Sequence, residues 1–206
     1  MLRNGEGGFG SVTIVLHWAL AVLILGLILT GFVMRRTEID PVLQFSLYQW
    51  HKSFGFTALA LAIIRAVWWF AERSPLAPAS LSPLERMAAR STHRTLIAFA
   101  VIVPLAGWAV ASASTLDIPS LYFNVIVIPH LPLAKSETSE DFWSLVHALL
   151  AYVMLGLVAM HAAAALYHHF IRHDDVLVRM LRAGSSDTAV FGDRKEPRHL
   201  TGRNDP

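Results

Sequence analysis

Five histidines lie within apolar stretches of the chain, where an ionisable side chain is costly and is a functional candidate by default. They are His17, His51, His93, His147 and His161. The chain has ten histidines and no cysteine, which excludes zinc–thiolate sites, iron–sulfur clusters and covalent attachment of haem through thiols. The chemistry available to these residues is therefore that of imidazole: ligation of a metal, or transfer of protons.

The spacing of His147 and His161 predicts that both side chains lie on one face of one helix. They are 14 residues apart, which turns a helix by about 40° net and advances it by about 21 Å. One histidine would thus lie near each surface of a membrane, and both would face the same neighbours. One helix would then supply one ligand to each of two stacked haems.

Partners for these two histidines follow from their depth in a bundle of antiparallel helices. His17, early in the first apolar stretch, should lie at the level of His161, and His51 should lie at the level of His147. Cofactor sites in helix bundles are built from facing helices in this way. We therefore expect His17, His51, His147 and His161 to ligate the iron of two haem b groups, in two pairs. Taken singly, each could equally be a hydrogen-bonding residue between helices.

The elements that must position these histidines are membrane helices. The chain has 206 residues, of which 54% are hydrophobic and 16% charged. Four stretches are long enough to cross a bilayer, at about residues 12–34, 48–70, 95–113 and 142–171. We expect an all-α, integral membrane four-helix bundle over residues 1–183 and a polar, disordered tail over 184–206. The first stretch is too long for a cleaved signal peptide and has no cleavage site.

The distribution of Lys and Arg predicts that both termini are cytoplasmic. The segment between the second and third stretches and the C-terminal tail are rich in arginine, although Arg35 and Arg36 lie at the opposite end. The basic residues flank apolar runs and form no separate module, so nucleic-acid binding is not expected. The short apolar segment Leu121 to Ile128 is expected to lie at the outer interface as a lid.

Two cations could hold haem propionates at the two levels. Arg65 is 14 residues after His51 and shares its face, at the inner level; Lys52 lies beside His51, at the outer level. Proximity of Arg65 to the cytoplasmic interface is the simpler alternative. Gly31, Gly55 and Gly107 could let a flat macrocycle approach the backbone.

The remaining histidines are less informative. His93 could serve a quinone or a propionate, or could be a solvated residue at a helix end. His168, His169 and His173 follow one another at the end of the fourth stretch, where exposure is expected. The sequence assigns no catalytic residue.

The chain resembles the bacterial cytochrome b561 family of di-haem membrane proteins. The matching motifs are Leu16-His17-Trp18, Trp50-His51-Lys52, Ile64-Arg65, Val146-His147-Ala148, His161 to His168 and Asp174 to Leu181. The resemblance covers about residues 10 to 182 and implies two b haems on His17, His51, His147 and His161. It also implies a multi-pass protein of the bacterial inner membrane.

The best-understood type of this family oxidises superoxide at the outer face and reduces ubiquinone. The partners implied are membrane lipid, a quinone, and superoxide or a periplasmic redox protein. The acidic segment 136–141 opposes superoxide steering, whereas Arg35, Arg36 and Lys52 could form a positive mouth. Two alternatives remain: a haem b subunit of a larger quinone-linked dehydrogenase or hydrogenase, and a non-haem proton-coupled transporter.

Overall fold

The structure is a computed structural model that describes residues 1–5, 7–36, 38–72, 75–76 and 80–184. Its elements are α1 (Ser11–Arg36), α2 (Pro41–Ala71), α3 (Pro83–Ala113), the strands β1 (Ser120–Tyr122) and β2 (Ile126–Ile128), and α4 (Glu137–Phe170). A short 3₁₀ helix, Val178–Met180, follows. The predicted disordered tail lies outside the described residues, except for Gly184.

All four helices are long and apolar enough to cross a membrane. Their most apolar windows have mean hydropathies of 2.6, 1.7, 2.2 and 2.1 for α1 to α4. Large apolar side chains such as Val22 and Val67 are exposed on the outside of the bundle, where lipid replaces water as the solvent. The four-helix membrane bundle predicted from the sequence is confirmed.

Three of the helices begin earlier than hydropathy predicts, at residues 41, 83 and 137 instead of about 48, 95 and 142. Caps set these starts: Asp40 accepts from two backbone N–H groups of α2, and Ser136 accepts from the Ser139 N–H in α4. Ser82 and Glu85 form a reciprocal capping box at α3. Hydropathy locates the part of a helix that crosses lipid, whereas polar caps locate the end of the helix itself.

The centre of the bundle is formed by one buried residue from each helix: Leu20, Ala62, Ala100 and Met154. Consecutive helices pack most closely, α1 on α2, α2 on α3 and α3 on α4. Buried alanines on α2 and α3 let these two backbones approach, as small residues do in membrane bundles. Met154 is the one residue of α4 with a buried side chain, so α4 contributes little to this protein core.

The short apolar segment at residues 121–128 forms an antiparallel β-hairpin packed on α2. Phe123 and Asn124 form its tip with φ of 48° and 59°, as a tight hairpin turn requires. The Ser53 hydroxyl accepts a hydrogen bond from the Phe123 N–H at 3.0 Å and donates one to the Leu121 carbonyl at 3.1 Å. The hairpin is thereby fixed on the N-terminal half of α2, at the end of the bundle predicted to be the outer one; its role as a lid stays a prediction.

The chain after α4 folds back across the opposite end of the bundle. Trp18 donates to the Met180 carbonyl at 2.8 Å, which ties this segment to α1. His168 pairs with Asp174 at 2.6 Å, and its side chain is 14% exposed. The prediction that His168 is an exposed helix-end residue is therefore wrong, because the returning chain brings an acid over it.

Candidate cofactor sites

The fold brings the histidines together in the two pairs that their depth predicts. The ring centroids of His17 and His161 are 6.2 Å apart, and those of His51 and His147 are 6.3 Å apart. The ring planes of the pairs are inclined at 68° and 90°. Each pair joins α4 to a helix of the other half of the bundle, α1 at one level and α2 at the other.

These distances match two imidazoles on opposite sides of one metal. A ligating imidazole nitrogen lies about 2 Å from its metal, so two opposed rings have centres about 6 Å apart. Among the described residues, no three His, Cys, Asp or Glu side chains converge as a self-contained metal site would require. Two opposed imidazoles leave the remaining coordination positions to a planar ligand, which is the donor set that a haem needs.

His51 and His147, called the outer pair after the predicted orientation (His17 and His161 being the inner pair), make hydrogen bonds through Nδ1. His147 Nδ1 lies 3.0 Å from the Val103 carbonyl, which only accepts, so the proton of this imidazole is on Nδ1. His51 Nδ1 lies 3.2 Å from the Thr30 hydroxyl, which in turn donates to the Gly26 carbonyl at 3.0 Å. The first bond leaves Nε2 of His147 unprotonated, as outer-shell partners of ligating histidines do, and the Thr30 hydroxyl can accept the Nδ1 proton of His51 in the same way.

Two glycines make room for these rings. A Cβ on Gly107 would lie 3.0 Å from Cε1 of His147, and a Cβ on Gly31 would lie 3.4 Å from Cε1 of His51. These glycines therefore admit the histidines of the outer pair, a role different from the predicted contact with a macrocycle. A Cβ on Gly55 would meet nothing within 4 Å.

The inner pair, His17 and His161, has a different environment. Arg65 lies beside it, 3.3 Å from His17 Nδ1, and donates to the Thr13 carbonyl at 3.2 Å. Because a guanidinium only donates, this contact makes Nδ1 of His17 the acceptor, whereas iron on Nε2 requires Nδ1 to carry the proton. The inner pair thus fits an iron in distance, and Arg65 has to turn to another acceptor for His17 to ligate.

Lys52 lies at the outer end of the bundle, half-buried, with Nζ 3.4 Å from the Pro119 carbonyl. The contact ties α2 to the chain that leads into the hairpin. The roles of Lys52 and Arg65 toward haem propionates stay predictions.

His93 is exposed, as a solvated residue would be, and its ring also lies beside the inner pair. Its ring centroid is 5.2 Å from that of His161, at an interplanar angle of 72°. This separation is shorter than the roughly 6 Å expected for opposed ligands, so His17 is the better partner for His161. The depth of His93 could be predicted from its position in the sequence. Its contact with His161 of α4 could not.

Comparison with known proteins identifies the family of the chain. A family described as prokaryotic cytochrome b561 matches residues 8–183. "Cytochrome b561 homolog 2" of Escherichia coli (strain K12) is 30% identical over 187 residues, which cover 91% of this chain and 98% of that protein. "Probable superoxide oxidase CybB" of Yersinia pestis is 24% identical over 177 residues, covering 84% of this chain and 95% of that protein. The chain therefore belongs to the prokaryotic cytochrome b561 family, whose members are membrane electron-transfer proteins that bind haem b.

Proposed function

We propose that this protein is a di-haem cytochrome of the bacterial inner membrane that transfers electrons between a one-electron donor at the periplasmic face and the quinone pool. The observation that carries the proposal is that two imidazole pairs lie at two levels of the bundle, with one histidine of each pair on α4. The ring centroids are 6.2 and 6.3 Å apart. Two levels of ligands along one helix provide a path from one face of the bilayer to the other. In this proposal both termini lie on the cytoplasmic side.

Haem b, when bound, supplies one-electron chemistry between the ferric and ferrous states. His17 with His161 and His51 with His147 would each hold one haem, and a haem held by two imidazoles would supply electron transfer without binding a substrate at its iron. Val103 holds the proton of His147 on Nδ1, the tautomer that would ligate through Nε2, and Thr30 contacts Nδ1 of His51. Arg65 and Lys52 supply cations for propionates at the two levels.

The most specific form of the proposal is a superoxide:ubiquinone oxidoreductase. Two superoxide anions each give up one electron at the outer face and leave as dioxygen. Ubiquinone takes the two electrons with two protons and leaves as ubiquinol. The relative named a probable superoxide oxidase supports this reaction, since it aligns over most of both chains.

The acidic residues near the predicted outer face repel the superoxide anion less than their number suggests, because several of them have local partners. Glu137 and Glu140 lie in the first turn of α4, where the helix dipole favours acids, and Glu140 also accepts from the Thr115 N–H at 3.3 Å. Lys135 pairs with Asp117 and holds the pKa of that carboxyl below its usual range. These carboxylates stabilise the outer ends of the helices and of the loop between them.

Haem content per chain tests the ligand assignment. The purified protein is expected to hold two b haems, and His51→Ala or His147→Ala to hold one, with the inner haem retained. His17→Ala or His161→Ala is expected to lose the inner haem instead. His173→Ala, an exposed histidine, is the control and should keep both. A haem count that stays at two in any of the four ligand variants would contradict the pairing, and colourless wild-type protein would favour the proton-coupled transporter.

The reaction is tested separately on protein with both haems. Superoxide should disappear faster than in buffer when ubiquinone is present, and ubiquinol should form at one molecule per two superoxide anions. A di-haem protein that reduces no quinone with superoxide would exclude this reaction and leave general electron transfer. A stable partner retained in gentle detergent would then favour the subunit of a larger dehydrogenase.

A further inference from the structure

The inner end of α3 carries three arginines on one side of the helix, which we call the arginine stripe: Arg86, Arg90 and Arg94. Hydropathy places the start of this helix near residue 95, but the capping box of Ser82 and Glu85 starts it at Pro83. The stripe is therefore held on ordered helix, at steps of four residues. It extends about 12 Å along the axis.

The charges of the stripe are not matched within the described part of the chain. The ion pairs found there join other residues, and Glu85, the acid in the first turn of α3, pairs with Arg172 at 3.1 Å. Like charges four residues apart destabilise a helix. Three of them without an acid thus break a local rule, as sites that bind a ligand commonly do.

The surroundings of the stripe indicate the surface of a bilayer. Leu84 and Met87, on the same turns, are 72% and 60% exposed, which suits contact with acyl chains and not with water. The Arg94 guanidinium lies 5.9 Å from the centre of the Trp69 ring, and tryptophan side chains favour the level of lipid headgroups. A groove of about 390 Å³ runs along this side, lined by Pro83, Arg86, Met87, Arg90, Ser91 and Arg94.

We propose that the arginine stripe binds the phosphate-bearing headgroup of an anionic phospholipid, with preference for a headgroup that carries two phosphates. Arginine forks bind phosphate oxygens in pairs, and the Ser91 hydroxyl adds a donor in the same groove. The length of the stripe lets two phosphates bind at once. The exposed apolar residues beside it favour a lipid over a free anion or an acidic protein.

Lipid binding by the delipidated, full-length protein in a non-ionic detergent tests this proposal. Native mass spectrometry counts bound diphosphatidylglycerol, phosphatidylglycerol and phosphatidylcholine, and thermal unfolding is followed with each lipid and with inorganic phosphate. We expect the tightest binding and the largest rise in Tm with diphosphatidylglycerol, and no rise with inorganic phosphate. Both responses should weaken as ionic strength increases.

Variants distinguish lipid binding by the arginine stripe from a general effect of the net charge of the protein. Arg86→Gln/Arg90→Gln should lose affinity for diphosphatidylglycerol by about fivefold for each arginine removed. Arg86→Lys/Arg90→Lys should retain part of it, and Arg182→Gln, an exposed arginine at the same end of the bundle, should match the wild type. Circular dichroism checks that each variant keeps its helix content.

Three outcomes would overturn the proposal. The first is equal lipid affinity in the wild type and the Arg86→Gln/Arg90→Gln variant. The second is an equal stabilisation by inorganic phosphate, which would make the groove a general anion site. The third is unchanged lipid binding together with loss of a co-purifying acidic protein in the same variant.

Discussion

At the scale of single residues, the two histidine pairs differ in the groups that contact the Nδ1 atoms of their imidazoles. The Val103 carbonyl fixes the tautomer of His147, and the Thr30 hydroxyl contacts Nδ1 of His51 and can accept its proton. Arg65 instead competes for Nδ1 of His17 at the inner level. We therefore expect the imidazoles of the outer pair to be better oriented for binding iron than those of the inner pair.

Gly107→Ala should weaken the outer haem site specifically. The added Cβ would lie 3.0 Å from Cε1 of His147, so the ring has to move and its bond to the Val103 carbonyl is lost or lengthened. Loss of such a partner lowers metal affinity about 10–100-fold. The measurement is haem affinity and haem count per chain.

Gly26→Ala is the matched control, since a Cβ there meets nothing within 4 Å. Alanine also favours helix over glycine by about 1 kcal/mol, so a general change in helix propensity would strengthen both variants. If Gly107→Ala held both haems with wild-type affinity, the close contact with His147 would have no role in the site.

At the scale of elements, each helix combines a lipid-crossing middle with polar ends that fix its position. Asp40, Ser82 and Ser136 cap α2, α3 and α4 outside the apolar windows. The hairpin and the C-terminal segment then cover opposite ends of the bundle, through Ser53 and Trp18 respectively. The two levels of histidines thus lie between a bundle end covered by the hairpin and a bundle end covered by the C-terminal segment.

Ser53→Ala should detach the hairpin from α2. The Ser53 side chain is buried, and its hydroxyl is the acceptor for the Phe123 N–H, so alanine leaves that donor without its partner. The expected cost in the free energy of unfolding is about 1–3 kcal/mol. It can be measured by denaturation in detergent.

Ser46→Ala provides the comparison, because the Ser46 hydroxyl bonds only the Val42 carbonyl of its own helix in the described structure. Its effect on the free energy of unfolding should stay within about 0.5 kcal/mol. Equal stability of both variants would mean that Ser53 does not hold the hairpin.

At the scale of the whole molecule, the bundle has a small protein core and a strong asymmetry between its two ends. Leu20, Ala62, Ala100 and Met154 meet at its centre, and the arginines of α3 and of the C-terminal segment gather at one end. We propose that the same asymmetry orients the chain in the membrane with its arginine-rich end in the cytoplasm, as the positive-inside rule predicts.

The absence of native cysteine allows a direct test of this orientation. Thr138→Cys, exposed in the first turn of α4, should react with a membrane-impermeant thiol reagent in intact spheroplasts. Arg182→Cys, exposed at the other end, should react only after the membrane is permeabilised. The opposite pattern would place both termini outside and reverse the direction of electron transfer proposed above.

The sequence by itself determined the four helices and the depth of each histidine. Both follow from one-dimensional quantities, apolar run length and a helical rise of about 1.5 Å per residue. The matched pairs His17 with His161 and His51 with His147 could therefore be predicted. The placement of His147 and His161 on one face of α4 could be predicted as well.

Only the tertiary structure decided which groups contact those histidines from other helices. The bond of His147 to Val103, the approach of His93 to His161 and the pairing of His168 with Asp174 depend on helix rotation and on where the chain turns back. The starts of α2, α3 and α4 also escaped hydropathy, because side-chain hydrogen bonds at the caps set them. These contacts join residues distant in sequence or depend on local geometry, and neither is encoded in periodicity or composition.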